Sequence, residues 1–302
     1  MAAITSANLA NAIVKLVAVD ALPALMGNLV MGNLVNRDFE PTLAQAGDTV
    51  NVPIPPTLVA NNIAEGGSVI TQNPTLGNAA IVLNTHAEAT FQIPDVTNVL
   101  AVPDLLKLYM QPAVIALAER IETDLLGLAA QFTANTAVGT ASTALTEATV
   151  DTAETALFNA KVPTSMPKYL VVNGHTYSDL RQITRFSEYS SAGEAGLRAI
   201  IEGNVGKIKD FFVFRSQFVT RGGSPVTTRN LAFSKNALGL VTRRLPQPLP
   251  GTGAIAEYAE MGNFGVRVLM SYAPNTLAQQ FTVDVLYGCA VLRNNHGVQV
   301  LS

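Results

Sequence analysis

The chain has 302 residues, of which 48% are hydrophobic and only 14% charged, with a formal net charge of −3 and one cysteine. A soluble domain carries about 25% charge, so the low figure is read as a surface largely covered by copies of the same chain, since charge is depleted where interfaces desolvate it. The slightly acidic balance excludes the basic footprint of a nucleic-acid-binding domain, and one cysteine excludes an internal disulfide framework.

From the N-terminus, the first ten residues lack the basic region of a secretory signal. Residues 21–36 carry no charge, but Pro23, Gly27, Asn28, Gly32, Asn33 and Asn36 interrupt them. They fall short of the roughly 20 apolar residues that span a bilayer, so no membrane partner is expected. Residues 6–36 are predicted as helical or mixed. They contain Met26–Val30 and its duplicate Met31–Val35, whose five-residue period fits neither helix nor strand, and Pro41 is the expected stop.

Residues 48–94 predict two long extended runs. In the first, Val50, Val52 and Ile54 alternate with Thr49, Asn51 and Pro53, the period of a strand. Asn61, Asn62, Gly66, Gly67 and Ser68 form a polar, glycine-rich apex. The return run is Ala80 to Ile93, with Ala89, Phe91 and Ile93 on one face. An extended chain from Asp48 to Asn61 covers about 40 Å, against a radius of gyration of about 19 Å for a globule of this length. Such a hairpin is expected to reach onto a neighbouring molecule, with Val50, Ile54, Phe91 and Ile93 on its buried face.

The strongest helical pattern follows. Val114, Leu117, Ile121, Leu125, Leu128 and Phe132 make one apolar stripe, with Glu119, Arg120, Glu122 and Asp124 off it. Pro112 is tolerated if the helix starts there; an earlier start predicts a kink. Residues 133–148 are predicted as a linker or surface loop. Helices are expected over 150–160 and 176–183, and strands over 169–173, 211–215, 230–233, 265–270 and 281–293. Residues 187–204 are expected as a mobile loop and 244–253, rich in Pro and Gly, as a loop. The order is α+β, without the alternation of a doubly wound fold.

No catalytic set emerges, and no cofactor or metal site is expected. His86-Ala87-Glu88 matches the start of a zinc-deaminase pattern but lacks its cysteines. His175 and Asp179 could share a helix face, but two candidate ligands without a third make no metal site. His296 is expected at a solvent-exposed turn and Cys289 as a small buried core residue. Phosphate-loop, dinucleotide and nucleophile-elbow motifs are absent. Arg243 and Arg244 are candidates for pairing with acids on another subunit, with a solvated basic pair as the equal alternative.

The pieces together resemble the major capsid protein of tailed double-stranded DNA phages, of the Hong Kong 97-type fold. The residues that carry the likeness are Gly47-Asp-Thr-Val-Asn-Val-Pro-Ile-Pro-Pro56, Asn33–Asp38, Tyr109–Ala113 with Ala116–Ala118, Tyr169–Asn173, Leu231–Leu238 and Val283–Gly288. Their order covers nearly the whole chain.

The resemblance implies an N-terminal arm over 1–46 and an extended loop over 47–95. A peripheral domain over 96–173 would include a long spine helix at about 104–132. An axial domain would span 174–265, and strands over 266–302 would return to the peripheral domain. It implies a structural protein, not an enzyme, that assembles with itself into hexamers and pentamers as an icosahedral shell in the host cytoplasm. Portal and scaffolding proteins, a decoration protein and non-specifically packaged DNA are the further partners it implies. Candidate contacts between subunits are Val50, Val52, Ile54, Phe91, Ile93, Arg243 and Arg244.

Two departures stand out: Asp210 occupies a turn position where relatives often have glycine, and the extended loop contains no lysine, so the lysine-based cross-link of some relatives is not expected there. A bacterial nanocompartment shell is the alternative, and a hydrolase using His175 and Asp179 the third reading.

Overall fold

The computed structural model describes residues 29–39, 49–63, 65–95, 105–183, 206–249, 252–261 and 264–302. Its elements in chain order are α1 (Met31–Leu34), β1 (Thr49–Ile54), β2 (Gly77–Val82), β3 (Thr85–Pro94), α2 (Leu105–Gly127), β4 (Val138–Gly139), α3 (Glu147–Asn159), β5 (Lys168–Val172), α4 (Gly174–Gln182), β6 (Lys207–Ile208), β7 (Phe211–Arg215), β8 (Arg221–Gly222), β9 (Thr227–Ser234), β10 (Leu238–Arg243), β11 (Ile255–Met261), β12 (Phe264–Ala273), β13 (Ala278–Val291) and β14 (Gly297–Leu301). A single 3₁₀ turn, Leu128–Gln131, prolongs α2.

Helix α2 follows the predicted stripe. Val114, Leu117, Ile121 and Leu125 are buried to 2% exposure or less, and Phe132 is buried just beyond the turn. The helix starts at Leu105, so Pro112 lies inside it. There its missing N–H removes one rung of the helical ladder, on a side chain that faces solvent. The expectation that Glu122 lies off the buried face is overturned. Glu122 is fully buried, because α1 packs on α2 and adds a second covered side.

Two sheets organise the rest. A five-stranded sheet centres on the long strand β13, which pairs antiparallel with β12, β10 and β3; β11 closes one side on β12. A seven-stranded sheet runs β4-β14-β9-β5-β7-β6, with β8 on β9. Helix α2, α1, the five-stranded sheet and one face of the seven-stranded sheet (Val171, Leu231, Phe233) enclose the largest core. The other face of the seven-stranded sheet packs Leu170, Val172, Phe211 and Ala232 against α3 and α4. Capping follows local rules: Thr146 accepts from the Thr149 amide at the start of α3, and Asn173 from His175 at the start of α4.

The return run of the predicted hairpin is two strands, not one. It breaks at Leu83–Asn84, and only β2 pairs with β1, Thr49 opposite Val82 and Ile54 opposite Gly77. Strand β3 turns away and lies along β13 from Pro94↔Ala278 to Thr85↔Tyr287. Strands β10 and β11 were not among the expected strands. Leu238–Val241 is buried on both faces, so the run lacks the alternation that marks a half-exposed strand.

The sheets divide the chain at points other than 173/174 and 265/266. Residues 168–172 and 297–301 join the seven-stranded sheet, whereas 238–243 and 255–261 join the five-stranded one. The expected loop over 187–204 and most of the expected N-terminal arm lie outside the described residues.

Candidate assembly surfaces

The region from Thr49 to Val82 separates into a base and a tip. At the base, Val50, Val52, Ala79 and Ile81 point into a small core with Leu83, Val241, Leu286 and Leu292, flanked by Ile54 and Leu245. Two glycines make this approach possible. A Cβ at Gly288 would lie 2.3 Å from the Val82 carbonyl oxygen, and one at Gly239 would lie 2.8 Å from Ile81 Cδ1. A side chain at Gly288 would push the hairpin backbone off the sheet, and one at Gly239 would displace the Ile81 and Leu292 side chains. Asn78 Nδ2 donates to Asn51 Oδ1 at 2.8 Å across the two strands.

Beyond Ile54 the strands stop, and every described residue from Thr57 to Leu76 is exposed. Leu58, Val59, Ile63, Val69, Ile70 and Leu76 are each 48% exposed or more, and Glu65 is the single charged residue over 55–76. The apex expected to be polar therefore carries a row of bare apolar side chains. One side-chain clamp ties its two sides: the Gln72 amide accepts from Val59 N at 3.0 Å and donates to Val59 O. A monomer keeps so much apolar surface in water only at a cost, and exposed apolar side chains concentrated in one segment mark an interaction site. These six residues are missing from the sequence-derived contacts. Their signal was available as apolar residues among turn formers, without strand or helix period.

The structure puts most of the predicted contact residues inside the subunit. Val50 and Val52 are buried at the base and Ile93 on β3. Phe91 stacks on Phe281 at 5.5 Å between ring centroids and meets Tyr109 of α2 at 5.7 Å. Ile54 is half-buried. Arg243 ends strand β10, and the Arg244 guanidinium sits 5.8 Å from the Tyr258 ring centroid.

The ionisable residues form structural pairs. Asp284, buried, accepts from Arg267 Nε at 2.9 Å and meets His86 Nε2 at 3.0 Å. Lys168, 2% exposed, donates to Asp210 Oδ2 at 2.7 Å. That hydrogen bond holds the Asp210 carboxyl below its usual range. It also ties down the β6–β7 turn, where Lys209 takes a positive φ of 52°.

His296 is buried, not solvent-exposed: its Nδ1 lies 3.2 Å from Ser234 Oγ, and burial lowers its pKa. Cys289 is half-buried against the main core, and burial pushes its thiol up to about 11, far from the thiolate a nucleophile needs. His175 and Asp179 share a cavity of about 300 Å³ with Thr176, Arg221 and Ser302. Among the described residues no group of three His, Cys, Asp or Glu side chains is placed to hold a metal ion, and no helix is long and apolar enough to cross a membrane.

Comparison with known proteins places this architecture. The family model described as "Phage capsid protein" matches residues 95–296. The chain is similar to a structure from Mycobacterium phage Che8, with a TM-score of 0.67 at 16% identity over 90% of each chain. It is similar to the mature capsid of bacteriophage PhiM1, with a TM-score of 0.56 at 13% identity, over 85% of this chain and 82% of that one. It is also similar to the virus-like particle from Pyrococcus furiosus, with a TM-score of 0.53 at 12% identity, over 94% and 97%. No curated protein matches the sequence.

Proposed function

The chain belongs to the phage capsid protein family, with the Hong Kong 97-type fold, and on that premise we propose that copies of it form hexamers and pentamers that close an icosahedral shell around double-stranded viral DNA. It is a structural protein of the virion capsid. The observation that supports the assembly mechanism is the bare apolar tip of residues 57–76, held out from the subunit by a hairpin base bolted to the sheet. The tip docks on the adjacent copy, and burying each of its large side chains contributes about 1.5–3 kcal/mol before the cost of ordering. Shell growth multiplies such contacts, so each stays modest while the whole is stable.

Within this reading, the five-stranded sheet with α2 forms the peripheral domain. The seven-stranded sheet with α3 and α4 forms the axial domain. Residues 1–46 act as the arm and 47–95 as the extended loop, whose last strand, β3, anchors it in the five-stranded sheet. Val50, Val52, Ile54, Phe91 and Ile93 serve the neighbour contact indirectly, by fixing the direction in which the tip leaves the subunit. Arg243 and Arg244, at the end of β10, face acids of a neighbouring copy. The loop lacks lysine, so its hold is non-covalent. A net charge of −3 fits DNA confined by the shell more than bound to it. Assembly in the host cytoplasm with portal and scaffolding proteins, and a decoration protein on the finished shell, belong to the same reading.

The test replaces residues 55–76 by Asn-Gly, a two-residue turn that suits the Ile54↔Gly77 register. The expected product is a folded subunit with unchanged circular dichroism and no closed particles by negative-stain microscopy. Normal closed particles would overturn the mechanism. A second reading, a nanocompartment shell that encloses protein cargo, is favoured by the similarity to the Pyrococcus furiosus virus-like particle over nearly the whole of both chains. The contents of purified particles, nucleic acid or protein, separate the two.

A further inference from the structure

Helix α2 buries one carboxyl and leaves half of it without a partner. Glu122 is 0% exposed. Its Oε1 accepts from Met31 N at 2.5 Å and from Gly32 N at 3.4 Å, across 91 and 90 residues of sequence. Its Oε2 is the one buried side-chain nitrogen or oxygen without a hydrogen bond among the described residues. The arrangement is a helix cap supplied from elsewhere in the chain. Val30, at the N-cap of α1, has no side chain able to accept from the first amides, which every helix leaves unsatisfied, and Glu122 takes that place. The same segment is held at its other end by Asn36, which accepts from Leu240 N and donates to Leu238 O, both at 3.0 Å.

The geometry points to a proton-operated clasp: we propose that Glu122 holds residues 29–36 against helix α2 most tightly when neutral and loosens them when it ionises.

The cause is the unshared burial. A carboxylate there loses its water and, among the described residues, gains no cation. Helix α1 carries no charged side chain. On the described side chains of α2, Arg120 and Asp124 pair with each other at 3.2 Å, and Tyr109 and Glu119 are exposed. On the strands packed against α2, His86 pairs with Asp284, Tyr287 donates to Asp124, and Glu88 and Cys289 complete the ionisable groups. None of them acts on Glu122; burial alone raises its pKa from 4.5 to about 7, against the opposing pull of the Met31, Gly32 and Val30 amides.

A pKa raised in the docked state means that docking is favoured in full below pH 4.5 and that the advantage is lost as pH rises through about 7. Between pH 6 and pH 8 the ratio of docked to released segment should fall about tenfold. The inference does not depend on shell formation and can be read on the subunit.

Hydrogen exchange of the peptide covering residues 29–36, corrected for intrinsic exchange rates, tests it in the full chain. Protection should fall about tenfold from pH 6 to pH 8 in the native sequence and stay flat in Glu122→Gln, which keeps the shape and one acceptor but cannot ionise. An equal fall in both, or none in the native chain, would overturn the clasp. Should the variant not fold, the carboxyl carbon resonance of Glu122 in the native chain decides: a titration midpoint near 7 supports it, and one near 4.5 sinks it.

Discussion

The base and the tip of the hairpin are alike in composition and opposite in fate. Residues 49–54 and 77–82 carry no charge and 55–76 carry one, and both hold several Val, Ile and Ala. At the base those side chains meet Val241, Leu286 and Leu292 of the same chain over a floor opened by Gly239 and Gly288. At the tip they meet water. The difference separates two free energies: the base contributes to folding, and in the proposed assembly the tip contributes only when a second copy covers it.

If that division is right, changes at the two places should separate. The largest effect is expected from the Asn-Gly replacement of the tip. It should abolish particles while the melting temperature of the subunit stays within about 2 °C, since no buried contact is lost; a large drop in melting temperature would mean that the tip folds back on its own chain. Next, Ile81→Ala removes a fully buried side chain at the base. It should destabilise the subunit by about 2–5 kcal/mol in chemical denaturation and impair assembly only as a consequence. Gly288→Ala puts a methyl group against the Val82 carbonyl and should cost about 1–3 kcal/mol. The smallest effect on stability is expected from Val69→Ser with Ile70→Ser, within about 0.5 kcal/mol. The same pair should still raise the protein concentration needed for particles, read by light scattering, by about tenfold or more. Unchanged assembly in that double variant would remove the tip from the contact.

Much of the architecture was legible because it is local. The stripe from Val114 to Phe132 could fold only as a helix with one buried face, and β5 and β7 were readable as short runs of Val, Leu and Phe. Phe91 and Ile93 were correctly seen to share a face with Ala89, yet that face belongs to the subunit's own core. Residues 80–93 read as a single strand because nothing in their alternation shows that β3 leaves β2 for β13. Glu122 looked like a solvated helix residue because the element that covers it lies about 90 residues earlier. His296 looked exposed because its neighbours are polar, whereas Ser234 and the end of β9 close over it.

By itself, the sequence determined an α+β subunit with a long hairpin, a long helix and sparse charge. Each of these rests on composition or on a period of two to four residues, which the chain carries wherever it folds. Only the tertiary structure decided which strand pairs with which and which apolar side chains find a partner at home. It also showed that the outward reach of the hairpin starts at Ile54. Those outcomes depend on pairing between residues about 90 positions apart or more, which local pattern does not encode.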